Sequence, residues 1–183
     1  AWCGLFHALP DGRVLLRHEL TWLRTVPEVA ALELRAFVKE QKITLAYVVA
    51  DPKLFPKKKA KGETVSETFS RAGLPMMKGD DDPINGWSRV RSWLQPMARR
   101  DLPPSPSLLI HSDCAYLIRT LPTLVSASEN EDIVDDTPDS YPARGVMYYV
   151  MSRPMPTKDA VVELPKGAIG HELRELRAEL ASV

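Results

Sequence analysis

The sequence has only two cysteines in 183 residues, Cys3 and Cys114. That is too few for a disulfide framework or a cysteine-rich zinc site, and it suits a reducing compartment. Its four histidines (His7, His18, His111, His171) are scattered. Neither H-x-x-x-H nor H-E-x-x-H occurs, which argues against a zinc hydrolase. No apolar run approaches the ~20 residues of a membrane helix, and no basic-then-apolar leader opens the chain. Neither G-x-G-x-x-G nor G-x-x-x-x-G-K-[ST] is present, so the doubly wound nucleotide fold is disfavoured and this stretch carries no ATP motor. Net charge is missing as well. The 24 Lys+Arg balance the 24 Asp+Glu, so the global basic character that would point to nucleic acid is absent.

What is present is segregated. Five lysines (Lys53, Lys57, Lys58, Lys59, Lys61) and no acid lie between positions 53 and 61. Six acids (Glu129, Glu131, Asp132, Asp135, Asp136, Asp139) and no base lie between 129 and 139. Such poles support local fields that a zero total conceals. Both read as solvated loops.

Local patterns predict an α/β chain. Residues 1–9 and 13–20 read as strands around Asp11-Gly12, a turn pair that tolerates φ > 0, so a hairpin is expected. A chain opening inside a strand reads as a piece of something longer. A helix over 27–39 follows, with Thr25 as cap and Val29, Leu32, Ala36 and Phe37 facing inward. The run ITLAYVVA (43–50) is almost wholly apolar, as in a strand covered on both faces, and ends at Asp51-Pro52. A helix over 64–72 stops at Gly73. A short strand at 75–78 leads through Asp80, Asp81 and Asp82, read as turn and cap, into a helix over 83–97 on Ile84, Trp87, Val90 and Leu94. Then come a Pro-rich connector (102–107), a strand at 108–111, a short helix capped by Asp113, the acidic loop and a helix over 141–152. That last helix has Ala143, Val146, Met147, Val150 and Met151 on one face. Residues 154–183 read as a Pro-punctuated linker and an amphipathic helix suited to docking or oligomer contacts.

Asp51 is the most informative residue. It stands at the carboxyl end of a strand, where open α/β sheets place ligand sites, and a carboxylate there can hold a hard cation. Ser112, Asp113 and Cys114 beside His111 invite a thiol-nucleophile reading, but adjacency is no triad, and Cys114 reads as core. Arg89, Arg91, Arg99 and Arg100 read as an outer face that could meet phosphates.

Several phrases then occur in order: VVADPKLF (48–55), ETVSETFSRAGLPMMKGDDDPINGWSRVRSWL (63–94), LLIHSDCAYLIRTLPTL (108–124) and ENEDIVDD…YPARGVMYYVMSRP (129–154). Together they resemble the C-terminal nuclease domain of the large terminase subunit of tailed bacteriophages, over residues 1–154. The resemblance implies an RNase H-like fold over residues 1–153, with a central mixed sheet, an opening antiparallel hairpin and flanking helices. It also implies metal-dependent cleavage of double-stranded DNA concatemers during packaging, with three carboxylates around Mg²⁺ or Mn²⁺ in a two-metal site. The implied partners are duplex DNA, an ATPase domain ahead of this segment, the small terminase subunit and the portal, in the host cytoplasm with no membrane.

By the same resemblance, Asp51 matches the middle acid and the first acid falls before Ala1. The third acid belongs to a D-H-x-x-D-A-x-R-Y phrase that here reads 140–148, which puts Arg144 in its slot. A cation ~5 Å from a metal repels it by about 3 kcal/mol per unit of metal charge at an effective dielectric of ~20. Three outcomes are open. Asp139 or Asp136 supplies the missing ligand, Arg144 belongs to a differently built site that clamps phosphate, or the domain keeps only a DNA-facing or docking role. Little or no cleavage is expected from this stretch alone. Lys53, Lys57, Lys58, Lys59 and Lys61, directly after Asp51, are expected to contact backbone phosphates without reading sequence. An unrelated scaffold of the same fold with no DNA role is the remaining alternative.

Overall fold

A computed structural model describes residues 1–10, 12–56, 62–94 and 107–153. The opening hairpin forms as expected from β1 (Trp2–Ala8) and β2 (Val14–Thr21), paired antiparallel from Trp2–Thr21 to Ala8–Val14. Gly12 supplies the positive φ (85°) that the turn needs. A third strand, β5 (Leu108–Ile110), adds parallel to β2, giving a mixed sheet in the order β1-β2-β5.

The remaining strands do not join it. β3 (Val48–Ala50) pairs in parallel with β4 (Met76–Lys78) as a separate two-stranded sheet, and β6 (Ser126–Ala127) and β7 (Asn130–Val134) form a second hairpin. The mixed sheet is therefore present but three-stranded, and Asp51 ends a strand of the smaller pair. The buried strand expected over 43–50 is also shorter and half-exposed. Only Val48–Ala50 find a partner, while Thr44, Ala46 and Tyr47 are exposed along a cavity.

Five helices complete the described residues: α1 (Pro27–Glu40), α2 (Val65–Arg71), α3 (Pro83–Leu94), α4 (Ala115–Thr120) and α5 (Tyr141–Ser152). Of the residues expected to face inward on α1, Val29, Leu32 and Ala36 are exposed and Phe37 is half-buried; Ala30, Ala31 and Leu34 make the buried face. Nor does Thr25 cap the helix, since its hydroxyl donates to the Leu23 carbonyl. On α2, Thr64 and Glu67 form a complete capping box, and Gly73 follows at φ 81°. Asp82 accepts from the Ile84 and Asn85 amides at the start of α3, so the acid run is turn and cap. The amides of Tyr116 and Leu117 at the start of α4 go to the Glu19 carboxylate from β2, not to Asp113.

The main core joins the mixed sheet to α3, α4 and α5 through Val14, Leu16, Trp93, Leu117, Val146 and Val150. A smaller one gathers Leu5, Trp22, Leu34, Phe69 and Leu74 between the sheet, α1 and α2. On α3, Trp87, Val90 and Trp93 are buried, whereas Ile84, expected inward, is exposed. Gly145 lets α5 approach β1: a Cβ there would lie 2.4 Å from the Trp2 ring, which Glu19 holds through the indole N–H. Gly145→Ala should cost about 1–3 kcal/mol by overpacking. Urea unfolding checks this, and an unchanged midpoint would show that Trp2 swings aside freely.

Candidate functional site: a charged cluster at the end of β3

Three segments bring their functional side chains together at the carboxyl end of β3. Asp51 leaves the strand and at once enters a 3-10 turn over Pro52–Leu54, where its Oδ1 accepts the Lys53 amide at 2.7 Å. Pro52 fixes that turn and aims Lys53 back across the strand end. Asp136 arrives on the segment after β7, with its amide bonded to Oδ1 of Asp135. Arg144 and Tyr148 come from α5, one turn apart and therefore on one face.

The contacts are specific. Arg144 Nη2 lies 3.3 Å from Asp136 Oδ1, and Lys53 Nζ lies 3.9 Å from Asp136 Oδ2. Both oxygens of Asp136 thus face a cation. The phenol of Tyr148 is held well above its ordinary pKa, first by burial, then by the negative charge of Asp51 and a hydrogen bond to it; Arg144 opposes the shift and Asp81 adds to it. Tyr148 therefore stays protonated at any ordinary pH, a neutral phenol beside the Asp51 charge. Its position depends on Gly79, the buried residue after β4. A Cβ there would sit 2.8 Å from the tyrosine ring and 3.1 Å from the Ala50 carbonyl, to which the Gly79 amide already donates.

Asp51, Lys53, Asp136, Arg144 and Tyr148 all line one cavity of about 1030 Å³, which continues between β1 and the 43–50 segment. It is large enough for a sizeable ligand, and Arg17, Lys42 and Arg153 also line it.

Of the residues singled out in the sequence, the structure brings together Asp51, Asp136, Lys53 and Arg144. Asp139 lies in a 3-10 turn over Pro138–Ser140, exposed, and among the described residues no hydrogen bond or ion pair ties it to the others. Lys57, Lys58, Lys59 and Lys61 lie outside the described residues, as do Arg99, Arg100 and the tail from 154. The acidic segment is not a plain loop, because residues 130–134 form β7. Arg89 and Arg91 are engaged internally. Arg89 donates to the Arg153 carbonyl, and Arg91 donates to the Glu131 and Asp132 carbonyls while pairing with the Asp132 carboxylate. Cys114 is fully buried and its thiol pKa is pushed up to about 11 by desolvation, then by the charges of Glu19 and Asp113. It is core, not a nucleophile.

Tyr148 and Gly79 are the members that sequence reasoning missed, while Asp81 was read only as part of the turn before α3. One signal was available: Arg144 and Tyr148 are spaced i, i+4 on a strongly periodic helix. A resident divalent metal is not well served by this set. Among the described residues no three His, Cys, Asp or Glu side chains converge to hold an ion, Asp136 is shared by two cations, and Asp51 accepts the Lys53 amide.

A scan of protein families finds none that matches the sequence, and a search of curated proteins finds no similar protein. Among solved structures, the large terminase of a thermophilic bacteriophage matches with a TM-score of 0.60 and 14% identity, over 81% of this chain. The matched region is 35% of that terminase's length. At that identity the likeness is one of backbone: over four-fifths of its length, this chain has a terminase-like fold.

Proposed function

We propose that this chain is the nuclease-type, RNase H-like domain of a DNA-packaging motor's large subunit, and that as it stands it holds double-stranded DNA without cutting it. The observation carrying this reading is the pairing of Arg144 and Lys53 on Asp136 beside Asp51, lining a large cavity in a terminase-like fold. A guanidinium and an ammonium side by side at a strand end suit a phosphodiester backbone. The lysines at 57, 58, 59 and 61 follow directly in sequence and extend the same basic character. An ATPase domain, the small subunit and the portal would be the other components of such a motor.

Metal-dependent endonucleolytic cleavage is the second reading, and the place of Asp51 favours it. A carboxylate at the end of a strand is where such chemistry would hold Mg²⁺ or Mn²⁺, with Asp136 or Asp139 as companion ligand. It needs a further carboxylate to converge with Asp51, and Arg144 opposes the ion.

One gel separates the two. Supercoiled plasmid incubated with the chain and Mn²⁺ should be retarded but uncut, and the Asp51→Ala variant should behave the same way. Nicking or linearisation by the wild type that disappears in Asp51→Ala would establish the nuclease reading instead. Plasmid neither retarded nor cut would remove the DNA assignment.

A further inference from the structure

The ion pairs at Asp136 are loose and lopsided. Charge-assisted N–H···O bonds close to about 2.7–2.9 Å, yet Asp136 stands at 3.3 Å from Arg144 and 3.9 Å from Lys53. Its side chain is 54% exposed, whereas that of Arg144 is only 21% exposed. The guanidinium is the fixed partner, set in α5 a turn before the buried Tyr148. The carboxylate is the solvent-facing partner, on the irregular segment after β7. Both oxygens of one acid are spent on two cations, and that acid and both cations line the same cavity.

We propose that Asp136 is a displaceable counter-ion. It occupies Arg144 and Lys53 in the free protein and yields them to a backbone phosphate of duplex DNA, so that the site binds phosphate without a divalent cation. The inference rests on the DNA reading above and adds to it a self-competing anion. A phosphodiester presents two non-bridging oxygens with the fork spacing that a guanidinium matches. It would replace Asp136 one for one, leaving the local charge balanced. Arg144 and Lys53 together carry the two positive charges that one divalent metal would bring. The remaining carboxylate, Asp51, accepts the Lys53 amide, and among the described residues no ion pair joins it to Arg144, whose carboxylate partner is Asp136.

The arrangement makes an acid-removing substitution tighten binding, which a purely structural ion pair would not do. In EDTA, a fluorescently labelled duplex should bind Asp136→Asn about tenfold more tightly than the wild type, and the log–log salt slope should steepen by roughly one phosphate contact. Arg144→Gln should weaken binding, and in the double variant Asp136→Asn should give no gain. Circular dichroism establishes that each variant is folded. Mn²⁺ in place of EDTA should leave the wild-type affinity unchanged.

Equal or weaker binding by folded Asp136→Asn would overturn the inference while leaving DNA binding intact. Wild-type binding that disappears in EDTA and returns with Mn²⁺ would overturn it too. If neither the wild type nor any variant binds duplex under any of these conditions, the DNA reading itself falls, and this inference with it.

Discussion

Replacing Trp93 with alanine is expected to destabilise the fold by about 3–5 kcal/mol, a large share of a small domain's total. Trp93 is 2% exposed, the largest of the fully buried side chains among the described residues, in the core that joins the mixed sheet to α3, α4 and α5. Truncation removes its transfer free energy and leaves a cavity that the surrounding core fills only in part. Its indole N–H has no hydrogen-bond partner among the described residues, so the loss is one of packing and not of a hydrogen bond. Trp93→Phe should therefore cost far less, because it removes an unpartnered polar group together with part of the ring. Chemical denaturation of both variants checks the pair. Equal destabilisation by Phe and Ala would contradict a packing origin for the loss, because both variants remove the N–H and only Ala empties the site.

Changing Lys57, Lys58 and Lys59 together to alanine is expected to lower duplex affinity by ~10²–10³-fold near ~0.1 M salt. The log–log salt slope should also become shallower by roughly 2.7. The arithmetic is that of counterion release: each phosphate contact contributes about 0.9 to the slope, and three are removed. Sequence preference should not change, because such contacts position the duplex without reading bases. An anisotropy titration at several salt concentrations checks both numbers. An unchanged affinity and slope would detach the lysine run from DNA and leave Lys53 and Arg144 to carry the basic contacts.

Much of the architecture was legible because local rules and tertiary context agreed. The Asp11-Gly12 turn specified the opening hairpin, Thr64 with Glu67 the start of α2, and the 3.6-residue apolar face the whole of α5. Where they disagreed, tertiary context won. Residues 43–50 read as a covered strand because they are apolar, but pairing ends at Val48, and the preceding residues border a cavity. Residues 130–134 read as loop because of their acids. They nonetheless form β7, because Glu131 and Asp132 can point to solvent in a two-stranded hairpin whose carbonyls Arg91 and Ser126 hold. On α1 the small residues Ala30 and Ala31 face the core and Leu32 faces out, a phase that composition alone did not reveal.

The candidate site was half legible. Asp51 stood out from its place at a strand end, and Arg144 from occupying a position where the resemblance leads one to expect an acid. The role of Tyr148 was not readable, because it depends on Gly79, far away in the sequence, leaving room for the ring beside Asp51. Pairing of Arg144 and Lys53 on Asp136 likewise needs three segments to converge. The overall neutrality of the chain hid the two charge poles, and the fold places a member of each in contact, Lys53 with Asp136.

The most direct test of duplex binding without a metal is the titration of a labelled duplex with the unaltered chain in EDTA across a range of salt concentrations. Saturable binding is predicted, with an affinity that falls steeply as salt rises, as several released counterions require. Absence of binding even at low salt, or binding indifferent to salt, would contradict it.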